Sequence, residues 1–149
     1  MKKYVLTGGP GSGKSTMISY LELEKNEVVV KEAAADCIKL RQVMGNPKPW
    51  KSSDFQSLLV NTQINREFRI PKDQYITKNR IWLDRGLPDN LAYCNESDIA
   101  YRKVMNYCKS TDNHIGRYDY VFVLDTLVEH YNDNGRVRRE SVEEAIEIN

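Results

Sequence analysis

Residues Lys3 to Thr16 read KYVLTGGPGSGKST, and this stretch limits what the chain can fold into more than any other. Tyr4-Val5-Leu6-Thr7 is a short apolar run suited to a buried strand, and Lys14-Ser15-Thr16 opens a pattern of helical character. Between them Gly8-Gly9-Pro10-Gly11-Ser12-Gly13 offers backbone that can take positive φ and bring its N–H groups close to an anion. Gly8, Gly13, Lys14 and Ser15 satisfy G-x-x-x-x-G-K-[ST], the spacing of a phosphate-binding loop. The amides from Gly11 to Thr16 are expected to form a concave nest at the positive end of a helix. The spacing thus predicts that Gly9, Pro10, Gly11, Ser12, Gly13, Lys14, Ser15 and Thr16 hold a nucleoside triphosphate. Lys14 would reach the β- and γ-oxygens, and the Ser15 hydroxyl would join a Mg²⁺ shell otherwise made of water and phosphate.

The chain has 149 residues and a formal charge of +1, so it carries no electrostatic footprint for general nucleic-acid binding. Cys37, Cys94 and Cys108 are odd in number and widely spaced, which suits reduced thiols in a cytoplasmic protein and not a disulfide or zinc framework. Three apolar residues after Lys2-Lys3 are too few for the core of a signal peptide, and no apolar run reaches membrane-spanning length. The expectation is one domain over residues 1–149, without repeats, low-complexity tracts or a dividing linker.

Met17, Ile18 and Leu21 mark one buried face of the helix that begins at Lys14. Val28-Val29-Val30 is a β-branched run and the second strand. Ala33 to Met44 returns to helical character with Cys37, Leu40 and Met44 on one side, and Gly45-Asn46-Pro47-Lys48-Pro49 stops it. Ser53-Asp54-Phe55-Gln56 has the form of a capping box. The helix it starts runs to about Phe68, with Phe55, Leu58, Leu59 and Thr62 inward. Ile81-Trp82-Leu83-Asp84 is the third strand. Pro88 to Cys94 and Ser97 to Cys108 read as a broken helical pair, with Ser97 the N-cap. Tyr120 to Asp125 is the fourth and most apolar strand, and Ser141-Val142-Glu143-Glu144 opens a last helix. Strands alternating with helices imply βαβ units around a parallel sheet, an α/β fold.

Ligands of open parallel sheets sit at the carboxyl ends of the strands. Here those ends carry Gly8 to Gly13, Glu32, Asp84-Arg85 and Asp125. Asp84 is placed like the acidic residue that holds Mg²⁺ through water beside a phosphate loop, although an Asp in that position also forms turns. Glu32 could accept a proton from an attacking hydroxyl, or simply start a helix whose dipole favours Glu. Asp36, one turn on, is a weaker candidate for the same task. Arg85 is a candidate phosphate clamp. Arg136, Arg138 and Arg139 share a segment near 130–141 that could close as a lid and stabilise a transferring phosphoryl group, or could be a solvated run. The chain lacks N-K-x-D, the D-x-x-G of GTPase switches at Asp84 to Leu87, and L-S-G-G-Q, and it is too short for an AAA+ lid domain. A small kinase fits best.

TGGPGSGKST, the Glu after the second strand, DRGLPDNLAY and DNGRVRRES together resemble the small AAA-labelled ATPase/kinase family, which includes the nicotinamide-riboside-kinase domain of the NadR regulator. The chain is similar more distantly to thymidylate and deoxynucleoside kinases. The resemblance implies a three-layer phosphate-loop fold with a mostly parallel sheet. It implies Lys14 and Ser15 as phosphate and magnesium residues, Asp84 and Arg85 as the D-R-G pair, and Arg138 as the lid arginine; Arg136, in the same segment, is expected on the nucleotide. Glu32 falls where deoxynucleoside kinases place their base. Gln63 resembles a base-reading glutamine, though a solvent-facing helical Gln is the simpler reading. Family members usually continue into a fifth strand whose loop helps hold adenine. The expected sheet therefore has four strands, or is completed by a partner, or belongs to a longer chain.

The resulting expectation is an ATP-Mg²⁺ phosphotransferase acting on a small hydroxyl-bearing molecule, a nucleoside or nucleotide. A nucleotide-dependent regulatory switch without a small-molecule acceptor is the alternative, and a polynucleotide 5′-end kinase is disfavoured by the near-neutral charge. Homo-oligomerisation is left open, and no membrane partner is expected.

Overall fold

The computed structural model of the chain describes residues 2–70, 78–109 and 117–126. Its order is β1 (Lys2–Thr7), α1 (Lys14–Leu23), β2 (Val28–Val30), α2 (Ala34–Val43), a 3₁₀ turn at Pro49–Lys51, α3 (Phe55–Phe68), β3 (Arg80–Asp84), a 3₁₀ stretch at Leu87–Tyr93, α4 (Ile99–Lys109) and β4 (Tyr120–Val123). The four strands form one parallel sheet ordered β2-β3-β1-β4. Because the connection from β1 runs to one side and that from β3 to the other, the crevice between them is the switch point where α/β sheets bind ligands. In register, Leu6 lies opposite Asp84 and Val5 opposite Leu83, so the loops after β1 and β3 leave the sheet side by side.

Alternation along the strands sorts the sheet into two faces. Val5, Val30, Ile81 and Leu83 point to one and bury themselves with Ile70 and Tyr118. Tyr4, Trp82, Tyr120 and Phe122 share the other, with Tyr4 stacked on Tyr120 at 4.7 Å between ring centroids. A second core joins α3, the 3₁₀ stretch and α4 through Val60, Leu87, Ala100, Val104 and Cys108. A third sits under the 3₁₀ turn, where Cys37 of α2 meets Phe55 and Leu59 of α3.

Several local expectations change. Tyr120 to Val123 is apolar, yet its side chains are 43–65% exposed, because β4 is an edge strand bonded only to β1 among the described residues. On α1 only Ile18 of the expected trio is fully buried and Met17 faces outward. On α2 only Cys37 is buried, while Leu40 and Met44 are exposed. The capping box at Ser53 does not form. Helix α3 starts at Phe55, and the Asp54 carboxylate before it pairs with Arg41 of α2 instead of capping. Helix α4 starts at Ile99, so Asp98 and not Ser97 precedes it, with its carboxylate accepting from Asn95 N at 2.8 Å. The last capping box at Ser141 and the lid segment at 130–141 lie outside the described residues.

Leu83 is fully enclosed in the centre of the sheet. Its truncation to Ala removes packing that nothing else can fill, and urea unfolding of Leu83→Ala is expected to show a loss of about 2–5 kcal/mol.

Candidate functional site

The loop between β1 and α1 forms the floor of the site. Gly11 and Gly13 take φ of 78° and 82°, the left-handed region that a side chain would resist, and Gly13 is the N-cap of α1. The Ser12 hydroxyl donates to Gly9 O at 3.0 Å, closing the loop on itself. Lys14 is only 6% exposed, and its ammonium donates to Gly9 O at 2.6 Å and to Ser12 Oγ at 2.8 Å. Burial, with the Arg85 guanidinium nearby, pushes its pKa down to about 8.

Asp84 ends β3 directly across from the loop. Its Oδ2 accepts the Ser15 hydroxyl at 3.0 Å, while its Oδ1 is buried with no hydrogen-bond partner. An orphaned carboxylate oxygen beside a serine hydroxyl is the donor set that a hydrated divalent cation needs. Ser15 and Asp84 therefore fit Mg²⁺. Burial raises the Asp84 carboxyl above its ordinary range, against the pull of the Ser15 bond and of Lys14.

Arg85 follows in the left-handed region at φ 70°, a conformation that costs a residue with a side chain roughly 1–2 kcal/mol. That turn aims its guanidinium back under the loop, where Nε donates to Glu32 at 3.0 Å and Nη1 to Gly8 O at 3.3 Å. Glu32 is brought there by β2, whose end is held by Arg66 donating to the carbonyls of Lys31 at 2.9 Å and Glu32 at 2.7 Å. Burial raises the Glu32 carboxyl, with Arg85 opposing it. Asp36 is exposed and paired with Arg66 at 2.6 Å, so it does not share this position.

Above these groups opens a cavity of about 470 Å³. The phosphate loop, Glu32 and Arg85 line one end. Trp50, Phe55, Gln56, Gln63, Asn90 and Tyr93 are among the residues that line the rest. Asp89 also lines the cavity, accepting the Thr7 hydroxyl through Oδ1 and Gly86 N through Oδ2 at 2.5 Å. Lys14, Ser15, Thr16, Glu32 and Arg85 thus converge on one space, with Gly9 directly beneath them and Asp84 bonded to Ser15. Asp125 lies exposed just past β4. Arg136, Arg138 and Arg139 lie outside the described residues.

Gln63 is not the solvent-facing residue that its polarity suggests. It is 3% exposed, and its amide donates to Glu67 at 3.2 Å and to Arg85 O at 3.3 Å. The signal for this was in the sequence: Phe55, Leu59, Gln63 and Glu67 follow one another at i+4, so the polar pair continues the apolar stripe. Asp89 and Asn90 lie inside the DRGLPDNLAY block but carried no chemistry of their own in it. Trp50 and Gln56, near the start of α3, had no signal beyond their types.

The fold and loop define an α/β protein with a four-stranded parallel sheet and a phosphate-loop sequence between β1 and α1. A family model described as an AAA domain, AAA_28, matches residues 3–149, and the chain belongs to that family. Among solved structures, the deoxyadenosine kinase of M. mycoides with bound dATP is similar in fold, with a TM-score of 0.53 and 16% identity, covering 98% of this chain and 76% of that one. No curated protein matches.

Gly86 sits against the Tyr118 ring, so a Cβ there would lie 3.0 Å from Cε2 and 3.3 Å from Cζ. The ring cannot retreat while its hydroxyl is held by Leu87 N at 2.8 Å and by Glu67. Gly86→Ala is expected to lower stability by about 1–3 kcal/mol in thermal or urea unfolding, as overpacked sites do.

Proposed function

We propose that this protein is a kinase that transfers the γ-phosphoryl group of ATP to a hydroxyl of a nucleoside. The observation that carries the reading is one continuous cavity: the phosphate loop with the Glu32–Arg85 pair lines one part of it, and aromatic rings and carboxamides line the rest. Trp50, Phe55 and Tyr93 offer faces for a planar ring, Gln56 and Asn90 offer donors and acceptors for its edge, and Gln63, whose amide hydrogens go to Glu67 and Arg85 O, offers its carbonyl oxygen. The dATP bound in the deoxyadenosine kinase structure and the AAA-domain family agree with a site that takes a nucleoside triphosphate.

In this reading the loop amides and Lys14 would hold the β- and γ-phosphates, and Ser15 with Asp84 would hold Mg²⁺, which would supply positive charge against the phosphates. Glu32 accepts the proton of the attacking hydroxyl, and Arg85 orients Glu32 and adds positive charge beside the transferring group. Arg138, with Arg136 and Arg139, is assigned the lid role of the same reading. The alternative, a nucleotide-dependent switch without an acceptor, keeps the donor half of the cavity and leaves its aromatic end without a task.

ATP consumption measured across a panel of nucleosides tests the proposal. At least one nucleoside should stimulate turnover well above the intrinsic hydrolysis rate, and Glu32→Gln should abolish most of that stimulation, by roughly 10²–10⁴-fold, with little change in ATP affinity. If no nucleoside stimulates consumption, the switch reading replaces this one. Because burial raises the Glu32 carboxyl above its ordinary 4.5, the stimulated rate should fall on acidification at a pH above that value.

Lys14 supplies a separate test of the donor half. Its pKa of about 8 in the free protein must rise when triphosphate oxygens replace Gly9 O as its partner. ATP binding near pH 8 should therefore take up part of a proton at this site, and the uptake should fade toward pH 6.5 where the amine is already charged. Calorimetry in buffers of different ionisation enthalpy reads this directly, and Lys14→Met should remove it.

A further inference from the structure

The turn at Arg85 to Leu87 is held by more than its neighbours in sequence. Each of its backbone polar groups has a partner. Arg85 N donates to Leu6 O at 3.0 Å, and Arg85 O accepts from Gln63 at 3.3 Å. Gly86 N donates to Asp89 at 2.5 Å, and Gly86 O accepts from Asp89 N at 3.2 Å. Leu87 N donates to the Tyr118 hydroxyl at 2.8 Å, and Leu87 O accepts from the Asn90 amide at 3.0 Å. Two of these partners, Gln63 and Tyr118, meet at one buried carboxylate. Glu67, with no side-chain exposure, accepts from the Tyr118 hydroxyl at 3.0 and 3.2 Å, from Gln63 at 3.2 Å and from Arg117 Nη2 at 3.2 Å. Arg117 is in turn packed over the Tyr107 ring at 4.0 Å.

The orientation of each donor follows from this arrangement. Glu67 takes the Tyr118 hydroxyl proton, which leaves an oxygen lone pair facing Leu87 N–H. It also takes one hydrogen of the Gln63 amide, which leaves the other for Arg85 O and fixes which end of that amide is which. A hydrophobic residue at 67 would free both side chains to turn, and a left-handed residue with a side chain relaxes unless its surroundings over-determine it.

We propose that Glu67 is a positioning residue for the candidate site: through Gln63 and Tyr118 it holds the left-handed turn that aims Arg85 at Glu32. The proposal rests on the kinase reading for its catalytic consequence, and its structural content stands apart from that reading. Glu67 lies on α3, 18 residues before Arg85 in sequence, and does not itself line the cavity.

Tyr118→Phe tests it, because the ring stays packed on Gly86 while the oxygen that links Glu67 to Leu87 N is lost. The first readout is the Arg85 Nε–H resonance in a ¹⁵N–¹H spectrum, assigned by its loss in Arg85→Lys. It should be sharp in the wild type, where Nε–H is bonded to Glu32, and broadened or shifted in Tyr118→Phe. The second is turnover on the stimulating nucleoside, where kcat should fall at least roughly tenfold while KM for ATP stays within about twofold, as a small misplacement of a reacting group produces. Ile81→Val, a core truncation at the other end of β3, controls for lost stability and should move neither. An unchanged Arg85 signal in folded Tyr118→Phe, with turnover no lower than in Ile81→Val, would overturn the proposal. If the wild type turns over no nucleoside, the kinase reading fails and the spectrum alone decides this one. If Tyr118→Phe does not fold, amide exchange in the wild type decides instead: Leu87 N–H should exchange as slowly as Leu83 N–H, and exchange at the rate of an exposed amide would overturn the proposal.

Discussion

Parallel pairing of β1 with β3 is the constraint on which the rest of the site depends. It sets Leu6 against Asp84, so the phosphate loop and the Asp84-Arg85-Gly86 turn emerge at the same height and a few ångströms apart. Ser15 can then reach Asp84, Arg85 can reach Gly8 O, and Asp89 can bridge Thr7 to Gly86. A slip of β3 by one residue would turn Ile81 and Leu83 out of the core and carry Asp84 away from the loop together. The same pairing that buries the apolar face thus fixes the geometry of the polar groups at its end.

Those polar groups form a cluster of opposite charges waiting at low dielectric. Burial is the first cause of the shifts at Lys14, Glu32 and Asp84, whereas Arg85 is raised against its burial by the acidic groups around it, Glu32 foremost. Lys14 is turned onto its own loop, Glu32 is occupied by Arg85, and one Asp84 oxygen has no partner. A triphosphate with its cation would relieve each of these at once, giving Lys14 anionic oxygens and Asp84 Oδ1 a hydrated ion. Groups arranged before the ligand arrives need little reorganisation afterwards, which is where preorganised sites gain their catalytic power.

Much of this was legible in the chain. The phosphate loop, the extent of α1 from Lys14 to Leu23, the strand at Val28 to Val30 and the strand ending at Asp84 follow from local periodicity and glycine placement, and they match. Burial was less legible wherever it depends on partners distant in sequence. Gln63 and Glu67 are polar and helical, and it takes Arg85, Arg117 and Tyr118, from two later segments, to make a buried home for them. Tyr120 to Val123 shows the converse: its composition suits a core strand, and its edge position among the described residues leaves it exposed. Capping fared likewise, since Asp54 answers to Arg41 on another helix and not to its own backbone.

The central claim is that the two ends of one cavity hold a donor and an acceptor. Following the γ-phosphorus of ATP by ³¹P spectroscopy, in the presence of Mg²⁺ and a mixture of nucleosides, asks this most directly. A kinase moves that phosphorus into a new phosphate monoester as the ATP signal decays. Its appearance solely as inorganic phosphate, at a rate the nucleosides do not alter, would contradict the account.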